Sequence, residues 1–397
     1  MHLRRLSLAH FRNYARLDLD LAPDTTIVYG DNAQGKSNLL EAIFYFATMR
    51  SFRARGDRDL LSWGVADDPF AFTRIAARVE RRGEPQDLEI ILREEPRRND
   101  GEAPTPVLTK RIKLNDVPRR AIDVIGTMTA VMFSPQDLEL VEGAPHLRRR
   151  YLDVTISQAD RAYCRSLAHY HRVVLQRNHL LRAIRDQGAG SDQIHFWNRE
   201  MITAGSYIVG QRLATIRALG EASRRSYGEL SGDDDSLAVG YKSSVFHGEV
   251  GPGAASDGIA SLFEARLAEL RSREVKLGVS LVGPHRDDLT FQLGGHDVSA
   301  FGSRGQQRTV ALALKLAEAE HLHHQTGERP IVLLDDVLSE LDPSRRQRVL
   351  ASVAPGQQLL LTATDAETFE GAPTPNATWL QVSRGRVEER GPAWIAG

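Results

Sequence analysis

The sequence predicts an α/β protein whose head is built from both chain ends, with a mainly helical lobe inserted between them. Three observations carry this. Near the start, "TIVYGDNAQGKSNLLEAI" sets an apolar run before a glycine-rich stretch and a helix-forming one after it. From about Leu147 to Tyr227 the pattern is helical, with Tyr163, Leu167, Tyr170, Val174 and Leu181 spaced three, four or seven residues apart. Two apolar runs then follow, "PIVLLDD" (Pro330–Asp336) and "QLLLTAT" (Gln358–Thr364), of the kind found in buried parallel strands. The expected division is head 1–146, lobe 147–277 and head again 278–397.

Taken in order, "LRRLSLAHFRNYARLDLDL" alternates apolar and polar residues in two stretches and predicts a β-hairpin. Thr26–Tyr29 predicts a short buried strand, and Ser37 onward, with Leu39, Leu40, Ile43 and Phe44, a helix. Strands are expected at Phe72–Val79 and Leu88–Leu92, and a mobile loop at Arg93–Pro106, "REEPRRNDGEAPTP". "DQGAGSD" (Asp186–Asp192) breaks the helical middle once. "SGDDDS" and "GEVGPGAASDG" mark loops over 231–258, before a helix at Ile259–Lys276. Strands are expected again at Val279–Val282 and Leu289–Leu293, and a long helix after Arg304. No period of 20 to 50 residues recurs, which excludes a repeat array.

Hydrophobic residues at 41% and charged residues at 26% place the chain among ordinary globular proteins. No apolar run approaches the roughly 20 residues that cross a bilayer, and Met1–Leu6 lacks the core of a secretory signal. A single cysteine, Cys164, excludes an internal disulfide and a cysteine-rich zinc site. A cytoplasmic protein without membrane contact is expected. The net charge of −1 conceals local basic clusters. Arg161 to Arg185 holds six arginines, three histidines and no acid; "TMRSFRARGDR" (Thr48–Arg58), Lys110–Arg120 and Arg148–Arg150 are basic too. Such patches on a near-neutral chain suit a protein that meets a polyanion on one face.

Gly30-x-x-x-x-Gly35-Lys36-Ser37 follows a predicted strand and opens a predicted helix, the context that gives the pattern meaning. Its glycines let backbone amides approach phosphates, and the helix N-terminus adds donors and a favourable dipole. Lys36 reaches the β- and γ-phosphates and Ser37 ligates Mg²⁺ on this reading. Asp335 and Asp336 end an apolar strand, where Asp335 can hold the metal and Asp336 polarise the attacking water. "FGSRGQQRTVALALKLAEAE" (Phe301–Glu320) puts a serine, a glycine and two glutamines at a second helix start. One phosphate loop already exists, so this second donor set is expected to serve the nucleotide of a partner copy.

These motifs, with "LLDDVLSELD" (Leu333–Asp342), stand in the order of an ABC-type ATPase. Within that class the chain resembles the RecF family of bacterial DNA replication and repair proteins, relatives of SMC heads. The resemblance rests on "HFRNY" (His10–Tyr14), "GDNAQGKSNLLEAI", "MFSPQDLELVEGAPHLRRRYLD" (Met132–Asp153), "LVGPHRDDL" (Leu281–Leu289) and "SRGQQR". It implies a head-to-head homodimer that sandwiches two ATP molecules. Gly30, Asp31, Asn32, Ala33, Gln34, Gly35, Lys36, Ser37 and Asn38 of one copy, with Arg12, then face Ser303, Gly305 and Gln306 of the other. It also implies that Gln136 senses Mg²⁺ and the attacking water, and that Asp342 sits at the dimer seam. Closure forms a basic surface for DNA, gapped or at a single-strand/duplex junction, and a weak, DNA-stimulated hydrolysis releases it. RecO and RecR are the implied partners in placing RecA at gaps and supporting SOS induction.

Two departures stand out. Thr364-Asp365 replaces the histidine of transporter ATPases, and Asp336 replaces their glutamate. The shorter side chain suits a slow switch better than a pump. The alternatives are a transporter ATPase subunit, an SMC-like tether and a small-molecule kinase. The basic lobe and missing histidine oppose the first, the short broken segment 150–276 the second, and the Ser303–Gln307 stretch the third. His321, His323 and His324 are read as a solvated helix end, and Gly283–Asp288 as a structural turn.

Overall fold

The computed structural model describes residues 1–62, 71–97, 105–188, 193–232, 236–246, 248–250, 258–353, 356–369 and 377–391. The chain forms two compact units, Met1–Pro135 with Leu322–Gly397, and Gln136–His321.

In the first unit, β1 (His2–Phe11) and β2 (Tyr14–Asp20) form the predicted hairpin. β3 (Thr25–Tyr29) runs through the glycine-rich loop into α1 (Lys36–Thr48). β4 (Phe72–Arg81), β5 (Glu84–Arg97), β6 (Thr105–Leu114), β7 (Val117–Arg119), α2 (Ala121–Val124) and β8 (Ala130–Phe133) follow. One antiparallel sheet has the order β2-β1-β4-β5-β6-β7. Its alternation is that of a sheet with one covered face: Leu88, Ile90 and Leu92 of β5 are buried.

The second unit contains α3 (Leu138–Glu142), α4 (Pro145–Ala159), α5 (Arg161–Gln187), α6 (Gln193–Ser231), β9 (Leu237–Ser243), β10 (Gly248–Val250) and α7 (Ile259–Leu277). β11 (Asp288–Leu293), β12 (His296–Asp297), α8 (Val298–Phe301) and α9 (Arg304–Thr326) complete it, α9 running on into the first unit's chain. A small antiparallel sheet has the order β10-β9-β11-β12.

Back in the first unit come β13 (Ile331–Asp335), α10 (Pro343–Ser352), β14 (Leu359–Ala363), β15 (Thr378–Ser383) and β16 (Arg386–Glu389). The second six-stranded sheet, β16-β15-β3-β14-β13-β8, therefore draws strands from both chain ends. β15, β3, β14, β13 and β8 run parallel. Every residue of β13 and β14 is buried, as the unbroken apolar runs demand. Each large apolar side chain so covered contributes about 1.5–3 kcal/mol. Val28, Thr362 and Asp335 are level across three neighbouring strands, at the carboxyl ends where open α/β sheets bind ligands.

The structure departs from the sequence reading in several places. Val279–Val282 is not a strand. Its backbone bonds go to side chains, Ser280 N to Asn178 Oδ1 and Leu281 N to Glu274 Oε1, both at 2.7 Å. β6, β7 and β8 were not expected, and β5 and β6 reach into the loop proposed for Arg93–Pro106; residues 98–104 lie outside the described residues. β9 and β10 fall within the loops expected over 231–258. The helical middle breaks a second time at Asp160, which caps α5 by accepting from Ala162 N and Tyr163 N. His321 is buried, not part of a solvated end.

Two buried arginines organise the second unit. Arg212 donates to Asp153 Oδ1 and to the Pro284 carbonyl, both at 2.7 Å. Arg177 donates to Glu274 Oε2 at 2.5 Å and to Ser280 Oγ at 2.8 Å. Both hold Ser280–Asp287, which is a turn. His285 inside it is lowered to about 4 by burial. Asp287 is pushed up by burial, although Tyr241 and Ser244 donate to it. Arg148 clamps Asp288 with two bonds of 2.8 and 2.7 Å, so this part of the basic triplet works internally.

Candidate functional site

The loop between β3 and α1 is shaped by its neighbours. Gly30 has φ 143°, and a Cβ there would lie 2.3 Å from the Val382 carbonyl oxygen. Gly35 has φ 120°, and a Cβ there would lie 2.6 Å from Asn13 Nδ2. Only glycine fits such contacts at these angles. Asn13 Nδ2 donates to the Gln34 carbonyl at 2.7 Å, and Asn38 Nδ2 to Asn13 Oδ1 at the same distance. Gly385 N also bonds the Gln34 carbonyl at 3.0 Å, and Arg384 N bonds Gln34 Oε1 at 2.7 Å. The loop is thus held from the β1–β2 hairpin and from the β15–β16 turn. Of the remaining loop residues, Asp31, Asn32 and Ala33 are exposed.

Lys36 starts α1 and folds back, donating to the carbonyls of Gly30 at 2.5 Å and Asp31 at 2.9 Å. Burial lowers its amine, opposed by Asp336, Asp335, Asp31 and Asp365. Ser37 Oγ donates to Asp335 Oδ1 at 2.8 Å, and Thr362 Oγ1 donates to the same oxygen at 2.9 Å. Burial pushes the Asp335 carboxyl up against these bonds. Asp336 adopts φ 53°, its N–H donating to Thr362 Oγ1 at 2.9 Å and its carboxylate accepting from Ser339 at 2.8 Å. Ser37 and Asp335 offer hard oxygen donors to a small divalent cation. Among the described residues no group of three or more acidic, histidine or cysteine side chains could hold a metal unaided. Such a pair suits Mg²⁺, which completes its octahedron with waters and phosphate oxygens.

Beside the loop lies a cleft of about 790 Å³ lined by Arg12, Asn13, Ala33, Asn38, Arg53 and Asp59, among others. Arg12, at φ 53°, grips Glu41 with Nε at 2.9 Å and Nη2 at 2.7 Å. Arg53 grips the same carboxylate at 3.1 and 2.9 Å. Glu41, Arg53, Asn13 and Thr362 were not among the residues singled out. Each lies inside a quoted stretch, Asn13 in "HFRNY", Glu41 in "GDNAQGKSNLLEAI", Arg53 in "TMRSFRARGDR" and Thr362 in "QLLLTAT", but none of these patterns marks the individual residue.

The second unit carries the other candidates. Gln136 lies in the turn Pro135–Asp137. Ser303 caps α9 in a reciprocal pair: Gln306 Oε1 accepts from Ser303 N at 2.9 Å, and Gln306 N donates to Ser303 Oγ at 3.3 Å. The N–H groups of Arg304 and Gly305 fall in the first turn, where a helix supplies no partner. Gly302 makes the cap possible, since a Cβ there would stand 2.6 Å from the Val298 carbonyl. Asp342 caps α10 and accepts from Arg345 N at 3.0 Å.

A strand-loop-helix phosphate site with an acidic β13 end, together with a glycine-serine helix cap, defines the class. Residues 2–386 match the family model of the RecF/RecN/SMC N terminal domain, and the fold is that of an ABC-type ATPase head. An Smc head bound to the C-winged helix domain of ScpA aligns with 100% of this chain and 99% of its own at a TM-score of 0.52; at 14% identity it speaks to the fold alone. The chain is 46% identical to the DNA replication and repair protein RecF of Chloroflexus aurantiacus, over 98% of each. It is 44% identical to that of Herpetosiphon aurantiacus, over 98% and 99%. A solved structure of the recombination mediator protein RecF with ATP, in the RecFOR pathway, superposes over 98% of each chain with a TM-score of 0.84 and 29% identity. The chain belongs to the RecF family of DNA replication and repair proteins. No helix among the described residues is long and apolar enough to cross a membrane.

Proposed function

We propose that the protein is an ATP-switched DNA-binding protein of recombinational gap repair, replication and SOS induction, active as an ATP-dependent homodimer. The carrying observation is the Ser37–Asp335–Thr362 chain beside a loop that only glycines can build. It sets a hydroxyl and a carboxylate level with the start of α1, where a Mg²⁺-bound triphosphate is held. Gly30 to Asn38 wrap the phosphates through backbone N–H groups, Lys36 leaves its loop carbonyls for the β- and γ-oxygens, and Ser37 and Asp335 hold the metal. Ser303, Gly305 and Gln306 of the second copy offer the N-terminal donors of α9 to the same γ-phosphate. Arg12 approaches the nucleotide from the cleft. Asp336 orients the water for slow hydrolysis, and the spent nucleotide releases the dimer from DNA. The solved RecF structure with ATP supports the choice of nucleotide. The family resemblance supplies RecO and RecR as partners in loading RecA.

Sedimentation without nucleotide, with ADP and with ATP tests the core of this reading. The unmodified chain should double its mass with ATP alone. Lys36→Arg should remain folded and monomeric throughout. Ser303→Arg should bind ATP with at most a few-fold loss and still fail to dimerise. An ATP-saturated monomer of the unmodified chain refutes the clamp.

A further inference from the structure

From the charge pattern of the second unit we infer that the solvent face of α5 is the surface that tracks the DNA backbone. The inference rests on the DNA-binding reading above and locates it. α5 has two faces. Tyr163, Tyr170, Val173, Arg177 and Leu181 are buried. At about 100° per residue, Arg161, Arg165, Arg172 and His179 fall within about 40° of one another on the opposite side, with Arg182 on the flank. All five are exposed. At about 1.5 Å per residue the row from Arg161 to Arg182 is about 31 Å long.

Among the described residues the arginines of this row form no ion pair, unlike those of the antiparallel sheet. On the antiparallel sheet of the first unit, Arg74 pairs with Glu89 at 2.6 Å, Arg78 with Asp87 at 2.7 Å and Arg111 with Glu95 at 3.1 Å. On α5, no described carboxylate comes within the 4.0 Å of an ion pair from Arg161, Arg165, Arg172 or Arg182. The acids nearby are taken: Glu200 holds His169 at 3.0 Å, and Asp186 holds Arg185 at 2.7 Å while also feeling Arg182. Leu175, 64% exposed, lies beside the row and offers an apolar contact that water does not reward. In a chain with 52 acidic residues, a stretch from Arg161 to Arg182 without one is not the neutral default.

The occupant follows from the regularity. Duplex DNA presents a charge about every 1.7 Å of axis over its two strands, so a basic row about 31 Å long finds phosphates along its length wherever the protein lands. Such contacts position without reading sequence. An acidic protein patch is shorter and irregular, and would leave part of the row unmet.

The test uses the full chain with ATP and a gapped duplex, with affinity measured across salt concentration. For each copy of α5 on the DNA, Arg161→Gln, Arg165→Gln and Arg172→Gln should each lower the slope of log K against log salt by about 0.9, and the triple variant by about 2.7. ATP binding should not change. Arg74→Gln and Arg78→Gln, which lose paired arginines, should leave the slope alone. An unaltered slope in the triple variant overturns the inference and makes an acidic protein the occupant. Failure of the unmodified chain to bind DNA at any salt concentration overturns the parent reading instead, and the two results cannot be confused.

Discussion

Glu41 shows how much of the site depends on one side chain outside its motif. It has no exposed surface, yet it accepts five hydrogen bonds, from Arg12, Arg53 and Ser51. Burial alone would push its carboxyl up; the bonds from Arg12 and Arg53 overcome this and hold it below the ordinary range. A depressed carboxyl stabilises the fold above its unfolded value, about 4.3, and that contribution is lost as pH falls through the folded one. Arg12→Ala or Arg53→Ala leaves one guanidinium on Glu41, whereas the double change leaves a buried charge with no counter-charge and only the Ser51 hydroxyl as a partner. The double variant should therefore lose about 1–3 kcal/mol more than the sum of the single losses. Urea midpoints at unchanged m measure this, and simple additivity would show that the shared carboxylate does not couple the two arginines. Ser37 and Asp335 were legible in the sequence because their motifs fix spacing along the chain. Glu41 was not. Within "NLLEAI" it reads as a polar position on a helix, and its partners are 29, 12 and 10 residues away.

At the scale of elements, α5 separates what composition merges. Its six arginines form one basic cluster in sequence, but Arg177 is 1% exposed and bonded to Asn198, Ser280 and Glu274, while Arg172 faces solvent. Arg177→Ala leaves Glu274, which is wholly buried, uncompensated and should cost about 3–5 kcal/mol. Arg172→Ala should stay within about 0.5 kcal/mol. Thermal melts of the two variants decide the matter, and equal shifts would mean that Arg177 is no more structural than its surface neighbour. Long helices and all-apolar strands were legible because their periods extend over many residues. β8 was not, since four residues, "AVMF", fit either a strand or a helix. "VSLV" misled in the opposite direction. It is apolar enough for a strand, but Asn178 and Glu274 take the backbone donors that a ladder would need.

For the whole molecule, a head built from both chain ends was legible because two strand-rich regions flank a helical one, and β3 between β14 and β15 is the form that closure takes. The pairing proposed between the Ser303 cap and the phosphate loop was not legible from periodicity, because the cap belongs to the second unit and the loop to the first. The proposal that each ATP is shared by two copies has a consequence that no single-chain site can imitate. A homodimer of Lys36→Arg carries two sites with a damaged loop, and one of Ser303→Arg carries two with a damaged cap, so neither should close with ATP. A dimer containing one of each gathers both defects into a single site and leaves the other with an intact Lys36 facing an intact Ser303. Equal mixtures of the two inactive variants should therefore regain ATP-dependent dimers, at up to about half the dimer yield of the unmodified chain if one site suffices for closure, since random pairing makes half of all encounters mixed. Differently tagged variants, mixed with ATP and captured through one tag, give the measurement directly. If the mixture stays as monomeric as its parts while the unmodified chain dimerises, the nucleotide is not shared across the seam in this way, and the switch has to be sought within one chain.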